Sequence, residues 1–223
     1  MVAAVLYQLL DFAAYPAWRD SWVAIDNPAR DRLSTTRRIL EATGARPGMR
    51  IVDVGAGGGY FSFKFASLVG PTGRVIATDR DWHMVVRLWF SQLLRGTENL
   101  TVRYADADSV DLPPTSADAI LMVNVYAFDR CQTARNRSYL AGVARALRPG
   151  GRFVMENDFV HTRTWVPVHG RRLECSIASL EQIVASAAPD LELVSREEVR
   201  FAGYRLAADE SPGYLLVFRR SRD

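Results

Sequence analysis

Val52-Asp53-Val54-Gly55-Ala56-Gly57-Gly58-Gly59-Tyr60-Phe61 joins a short apolar run, 50–54, to an amphipathic helical pattern. A glycine-rich turn at a helix N-terminus lets a ligand lie against bare backbone N–H groups. The spacing narrows the ligand, because a dinucleotide pyrophosphate requires glycines at the first, third and sixth places. Counted from Gly55 the sixth place is Tyr60, and counted from Gly57 it is Ser62. Asp53 puts a carboxylate at the strand end, which repels a pyrophosphate and suits a ligand carrying an ammonium and a sulfonium. Asp79 closes a second apolar run twenty residues after Gly59, where an acid accepts from both ribose hydroxyls. Asp106, with Ala107 beside it, ends a third run and suits an adenine amino group, although Asp108 and Asp111 lie close by. Three acids at three strand ends fit a nucleoside without phosphate, and point to S-adenosylmethionine.

These residues need elements that bring strand ends to one rim. Helical spacing is expected over 2–14 and 29–43, with Leu33, Ile39 and Leu40 on one face, Gly44 and Pro47-Gly48 as stops, and Pro16 and Pro28 as breaks. Strands over 50–54, 73–78, 100–104, 118–124 and 151–156 then alternate with helices over 60–69, 82–95 and 134–147, the second capped by Asp81. Such alternation implies right-handed crossovers and a parallel sheet covered on both faces. After a helix over 179–188, the segments 191–201 and 214–219 leave no room for a regular helix between them. They are expected to pair as an antiparallel hairpin at the sheet edge.

With these motifs in order, the chain resembles the class I S-adenosylmethionine-dependent methyltransferases, from about Leu33 to Arg220. Asp53-x-Gly55-x-Gly57-x-Gly59 is similar to that family's first motif, and Ala146-Leu147-Arg148-Pro149-Gly150-Gly151-Arg152 to the turn before its fifth strand. Leu112 to Leu121 resembles its fourth-strand approach, and Val69 to Val75 a turn of the isoaspartate-repair and bacterial small-molecule members.

The resemblance implies an α/β, doubly wound, mostly parallel seven-stranded Rossmann-like sheet with a reversed last strand. An N-terminal helical lid, 1–46, would precede a core domain, 47–223. Gly55, Ala56, Gly57 and Gly59 would approach the methionine portion, with Tyr60 and Phe61 starting the helix beneath it. Arg80 would lie along the adenine face or in a surface ion pair. Asn124 would serve the methionine portion and Tyr126 the methyl acceptor, the alternative for both being ordinary loop packing. Amino- and base-modifying relatives carry two prolines after an Asn at this place, and here no proline follows Asn124. Small-molecule relatives often carry histidines where this chain has Ala127 and Phe128, so no base is carried over. His161 is the candidate base by its near-neutral pKa, with Asp129 comparable, against the ordinary reading of isolated histidines such as His161 and His169 as surface residues. Tyr15, Trp18 and Trp22 would form an apolar lid or simply core.

Composition bounds the rest. A chain of 223 residues, 48% apolar and 24% charged, suits one α/β domain. It has no uninterrupted apolar run of spanning length. Met1 to Leu10 is apolar but lacks a basic start and is interrupted by Asp11, so it reads as a helix of the mature protein serving as lid, homodimer contact or interfacial anchor. Two cysteines, Cys131 and Cys175, suit a reducing cytoplasm and provide neither a disulfide framework nor a metal cluster. The pI is about 9.1, yet the arginines fall singly or in pairs such as Arg37-Arg38, which argues for solvated surface over nucleic acid. The expected activity is methyl transfer to a small-molecule O, N or C acceptor. Isoaspartate-type protein methylation and non-catalytic cofactor binding are the alternatives.

Overall fold

The computed structural model describes residues 35–105, 110–125, 134–157, 177–199 and 213–222. Its strands are β1 Arg50–Val54, β2 Arg74–Asp79, β3 Leu100–Tyr104, β4 Ala117–Val123, β5 Leu147–Asn157, β6 Leu191–Val199 and β7 Gly213–Arg220. The described helices are α1 Thr36–Thr43, α2 Tyr60–Val69, α3 Trp82–Arg95, α4 Ala134–Ala146 and α5 Ile177–Ala187. One seven-stranded sheet has the order β3-β2-β1-β4-β5-β7-β6. Strands β1 to β5 pair in parallel, and β7 runs antiparallel to both β5 and β6. The expected hairpin is present, with the last strand inserted between β5 and the edge strand β6.

Both faces of the sheet are covered. In β1 every residue after Arg50 is buried, as a central parallel strand requires. Val52, Ile120, Phe153 and Phe218 pack with Leu140 and Val143 of α4 and Leu180 and Ile183 of α5. On the other face Ile51, Val75, Leu121 and Val154 meet Ile39 of α1, Phe61 and Phe65 of α2, and Leu88 of α3. Each such side chain contributes about 1.5–3 kcal/mol through burial. The edge strand β6 exposes Glu192, Arg196 and Glu198, charges that discourage pairing with another chain.

The ends of the elements follow local chemistry. Gly44 closes α1 at φ 64°, and the Asp81 carboxylate caps α3 by accepting from the His83 N–H at 2.9 Å. The largest departure from the sequence expectation is at β5, which starts at Leu147 and absorbs the expected Arg148 to Gly151 turn. Leu147 pairs with Ala117, the register then shifts before Ala119 meets Arg152, and Gly150 takes φ 77° within that irregularity. Residues 1–34, which carry most of the expected lid, lie outside the described residues.

Strand order reverses beside β1, which has β2 on one side and β4 on the other. The crevice outside the carboxyl ends of these strands is where open α/β sheets bind ligands.

Candidate cofactor and acceptor site

The turn leaving β1 carries Gly55 at φ 67°, Gly57 at φ 53° and Gly59 at φ 91°, conformations that side chains rarely adopt. Packing gives a second reason for glycine at two of them. A Cβ on Gly55 would lie 2.6 Å from Val125 Cγ2, and one on Gly59 would lie 2.2 Å from Leu88 Cδ1. The turn is thus clamped between the segment following β4 and helix α3. The close approach at Gly55 and Gly59 is made to protein.

Asp79, at the carboxyl end of β2, is the centre of this half. Its Oδ2 accepts from the Gly57 N–H at 2.8 Å and its Oδ1 from the Asp81 N–H at 2.8 Å. Ala56 N–H reaches the Thr78 carbonyl at 3.0 Å, fixing the turn against β2 a second time. Burial pushes the Asp79 carboxyl above the usual carboxylate range, and the N–H bonds from Asp81 and Gly57 pull it back. One carboxylate is therefore oriented by two backbone donors, and each oxygen keeps acceptor capacity.

Asp53 sits beneath the turn, 2% exposed, with Oδ2 accepting from Ser62 Oγ at 2.6 Å. Ser62 occupies the sixth place where a dinucleotide fingerprint has its last glycine. Sequence reasoning registered only that missing glycine, and a serine one helical turn from a preceding glycine run was the available signal. The Tyr60 hydroxyl lies 3.0 Å from Thr36 Oγ1, tying α2 to α1. The Phe61 ring is buried in the core beside Phe65 and is turned away from the crevice. Arg80 is exposed between Asp79 and Asp81.

The other half of the crevice is built by β4 and β5. Asn124 adopts φ 53°, tolerated better by Asn than by most side chains, and its N–H reaches the Glu156 carbonyl at 2.9 Å. Glu156 is 3% exposed, and Thr35 Oγ1 donates to its Oε1 at 3.3 Å. Thr35 precedes α1 yet makes no capping bond, so its hydroxyl serves β5 instead of its own helix. Neither Thr35 nor Glu156 was singled out from sequence for this pairing. Asp106, Ala107, Tyr126, Asp129 and His161 lie outside the described residues, as do Cys131 and Cys175. Among the described residues no cluster of three metal-ligating side chains occurs. A cleft of about 600 Å³ at the far ends of α2 and α3 contains none of the candidate site residues.

A sheet of this order, with a glycine turn after β1 and a fixed acid after β2, defines the class of Rossmann-like methyltransferase folds. A family model described as a methyltransferase domain matches residues 45–187, and the chain belongs to that family. The ubiquinone/menaquinone biosynthesis C-methyltransferase UbiE of Ectopseudomonas mendocina is 33% identical over 121 residues, which is 53% of this chain and 45% of that protein. The UbiE of Pseudomonas fluorescens is 31% identical over the same length. The match thus spans less than half the length of these relatives. A SAM-dependent methyltransferase from Aquifex aeolicus superimposes with a TM-score of 0.67 at 21% identity, covering 88% of this chain and 95% of that one. The [4+2]-cyclase SpnF superimposes at 0.66 with 19% identity, covering 91% and 84%. These likenesses establish the fold, and SpnF illustrates that the fold alone does not fix the reaction. The family implies S-adenosylmethionine as cofactor, and a carboxylate held by Gly57 and Asp81 beside a glycine turn fits its ribose.

Proposed function

We propose that the chain transfers a methyl group from S-adenosylmethionine to a small-molecule acceptor by in-line displacement. The observation that carries this reading is the Asp79 carboxylate, oriented by the Gly57 and Asp81 N–H groups at the sheet's switch point. In this reading Asp79 accepts from the ribose hydroxyls, and the turn from Gly55 through Ala56 and Gly57 to Gly59 lines the methionine portion. Asp53 stabilises that turn through Ser62 and adds negative charge beneath the cofactor's cationic end. Tyr60 and Phe61 contribute their place at the start of α2, Arg80, Asp106 and Ala107 border the adenine, and Asn124 borders the methionine portion.

When bound, S-adenosylmethionine supplies a methyl whose bond to sulfur breaks as the acceptor's bond forms, the electron pair staying on S-adenosylhomocysteine. The chain's own work is alignment and exclusion of water, which can supply on the order of 7–11 kcal/mol. Where the acceptor must lose a proton, His161 or Asp129 takes it, with Tyr126 against the acceptor. Residues 1–46 act as a lid over the core 47–223, in a cytoplasmic protein with a homodimer as its assembly to test. The names of the UbiE relatives make a carbon of a hydroxylated aromatic or quinol ring the first acceptor to test.

Incubation with methyl-labelled S-adenosylmethionine and a panel of hydroxylated aromatic and quinol acceptors tests the proposal. Label on the acceptor, lost in Asp79→Ala, supports it. Tight S-adenosylhomocysteine binding with no label on any acceptor in the panel favours a cofactor-binding protein without methyl transfer.

A further inference from the structure

Helix α3 has two apolar faces, of which only one packs against the sheet among the described residues. Met84, Val85 and Leu88 are buried against the sheet. Opposite them Trp82, Val86, Trp89 and Leu93 recur at helical spacing, and Phe90 and Leu94 widen the stripe. Trp82, Trp89, Phe90, Leu93 and Leu94 are each between 44% and 64% exposed, and the Trp89 and Phe90 rings meet edge to face at 5.1 Å. A helix of 14 residues carries this stripe over about 21 Å. Contiguous exposed apolar surface of this kind marks an interaction site.

We propose that this face of α3 docks the protein on the surface of a membrane containing anionic lipid. The charges around the stripe select that occupant. The helix carries His83, Arg87 and Arg95 and no carboxylate. Arg80 and Arg103 are exposed on the flanking segments, while at the helix's far end, in the cleft described above, Arg95 lies over the Phe63 ring and Arg74 donates to the Glu98 carbonyl. Among the described residues the acids flanking the helix are Asp79, which accepts from the Gly57 and Asp81 N–H groups, Asp81, whose carboxylate caps the helix, and Glu98 in that cleft. Tryptophan and arginine beside leucine and phenylalanine is the composition of a helix lying in a lipid interface. Basic side chains near an anionic leaflet add about 1 kcal/mol each. A second copy of α3 brings no carboxylate on residues 82–95. Among the described residues no helix is long and apolar enough to cross a membrane, so the contact lies on the surface.

Sedimentation of the full chain with vesicles tests the docking, using phosphatidylcholine alone and phosphatidylcholine mixed with phosphatidylglycerol. Wild type should pellet with the mixed vesicles, its tryptophan emission should shift to the blue, and added salt should weaken the binding. A Trp89→Ser, Leu93→Ser double variant should lose affinity by at least about tenfold while binding S-adenosylhomocysteine as wild type does. Wild type remaining in the supernatant, or a variant that pellets equally well, overturns the proposal. A dimer that becomes a monomer in the variant, with no vesicle binding in either, assigns the face to a second copy and also overturns it.

Discussion

The two sides of the crevice are held by contacts of different range. On the β1–β2 side, Asp53 bonds Ser62 nine residues away and Gly57 bonds Asp79 22 residues away. On the β4–β5 side, Thr35 reaches Glu156 across 121 residues, and the Asn124 N–H bonds the Glu156 carbonyl of a neighbouring strand. The hydrogen bonds of the first side lie within one β-α-β segment, with Leu88 of α3 and Val125 packed against its turn. The second exists only when Thr35, the end of β4 and the end of β5 have come together. Under the proposed function, the preset half meets the cofactor nucleoside, and the assembled half, which carries Asn124, meets the methionine end and the acceptor.

That contrast can be broken from the largest effect downward. Gly59→Ala places a Cβ against Leu88 in a left-handed backbone, and should cost about 2–4 kcal/mol by denaturant unfolding. An unchanged midpoint would mean that α3 does not clamp the turn. Ser62→Ala leaves the buried Asp53 carboxylate short of a donor and should cost about 1–3 kcal/mol. A neutral effect would remove this pair from the preset half.

The pH dependence sharpens the same side. Burial raises the folded-state pKa of Asp79, so the folded apoprotein holds this proton more tightly than the unfolded chain does. The group's stability contribution is fully present below its unfolded value and is lost as pH rises through the raised folded value. Cofactor affinity runs the other way, since hydroxyls need the ionised acceptor, and S-adenosylhomocysteine should bind more weakly as pH falls through that value. Affinity measured against pH, flat in wild type across the acid range, would contradict this.

Smallest of all is the expected effect of Glu156→Gln on cofactor binding, within about twofold or roughly 0.4 kcal/mol, with its consequence confined to methyl transfer. A large loss of S-adenosylhomocysteine affinity would show that Glu156 itself supports cofactor binding.

The same division governs what could be read from sequence. The glycine turn, Asp79, the Asp81 cap and the strand alternation are local patterns, and apart from β5 each of these elements lies within a residue or two of its expected bounds. The hairpin was legible because two strand-like segments, 191–201 and 214–219, lie close in sequence, but the insertion of β7 inside the edge depends on pairing between distant strands. The early start of β5 was missed for a related reason, since Leu147 joins the sheet by pairing with Ala117 across a register shift. Thr35 offers a hydroxyl where a helix cap is the default, and only the folded chain reveals that Glu156 receives it. Phe61 is expected to start the helix beneath the turn, and the structure adds that its ring completes the core, because the first turn of α2 presents one face to the crevice and another to the sheet.

The central claim is that Asp79 and the glycine turn form a cofactor site. Calorimetric titration of the full chain with S-adenosylhomocysteine, beside Asp79→Ala, tests it most directly. One-to-one binding by wild type, weakened on the order of a hundredfold by the substitution as a lost charge-assisted pair requires, is the expected result. Wild type that takes up no S-adenosylhomocysteine, or a variant that binds it equally well, would contradict the claim.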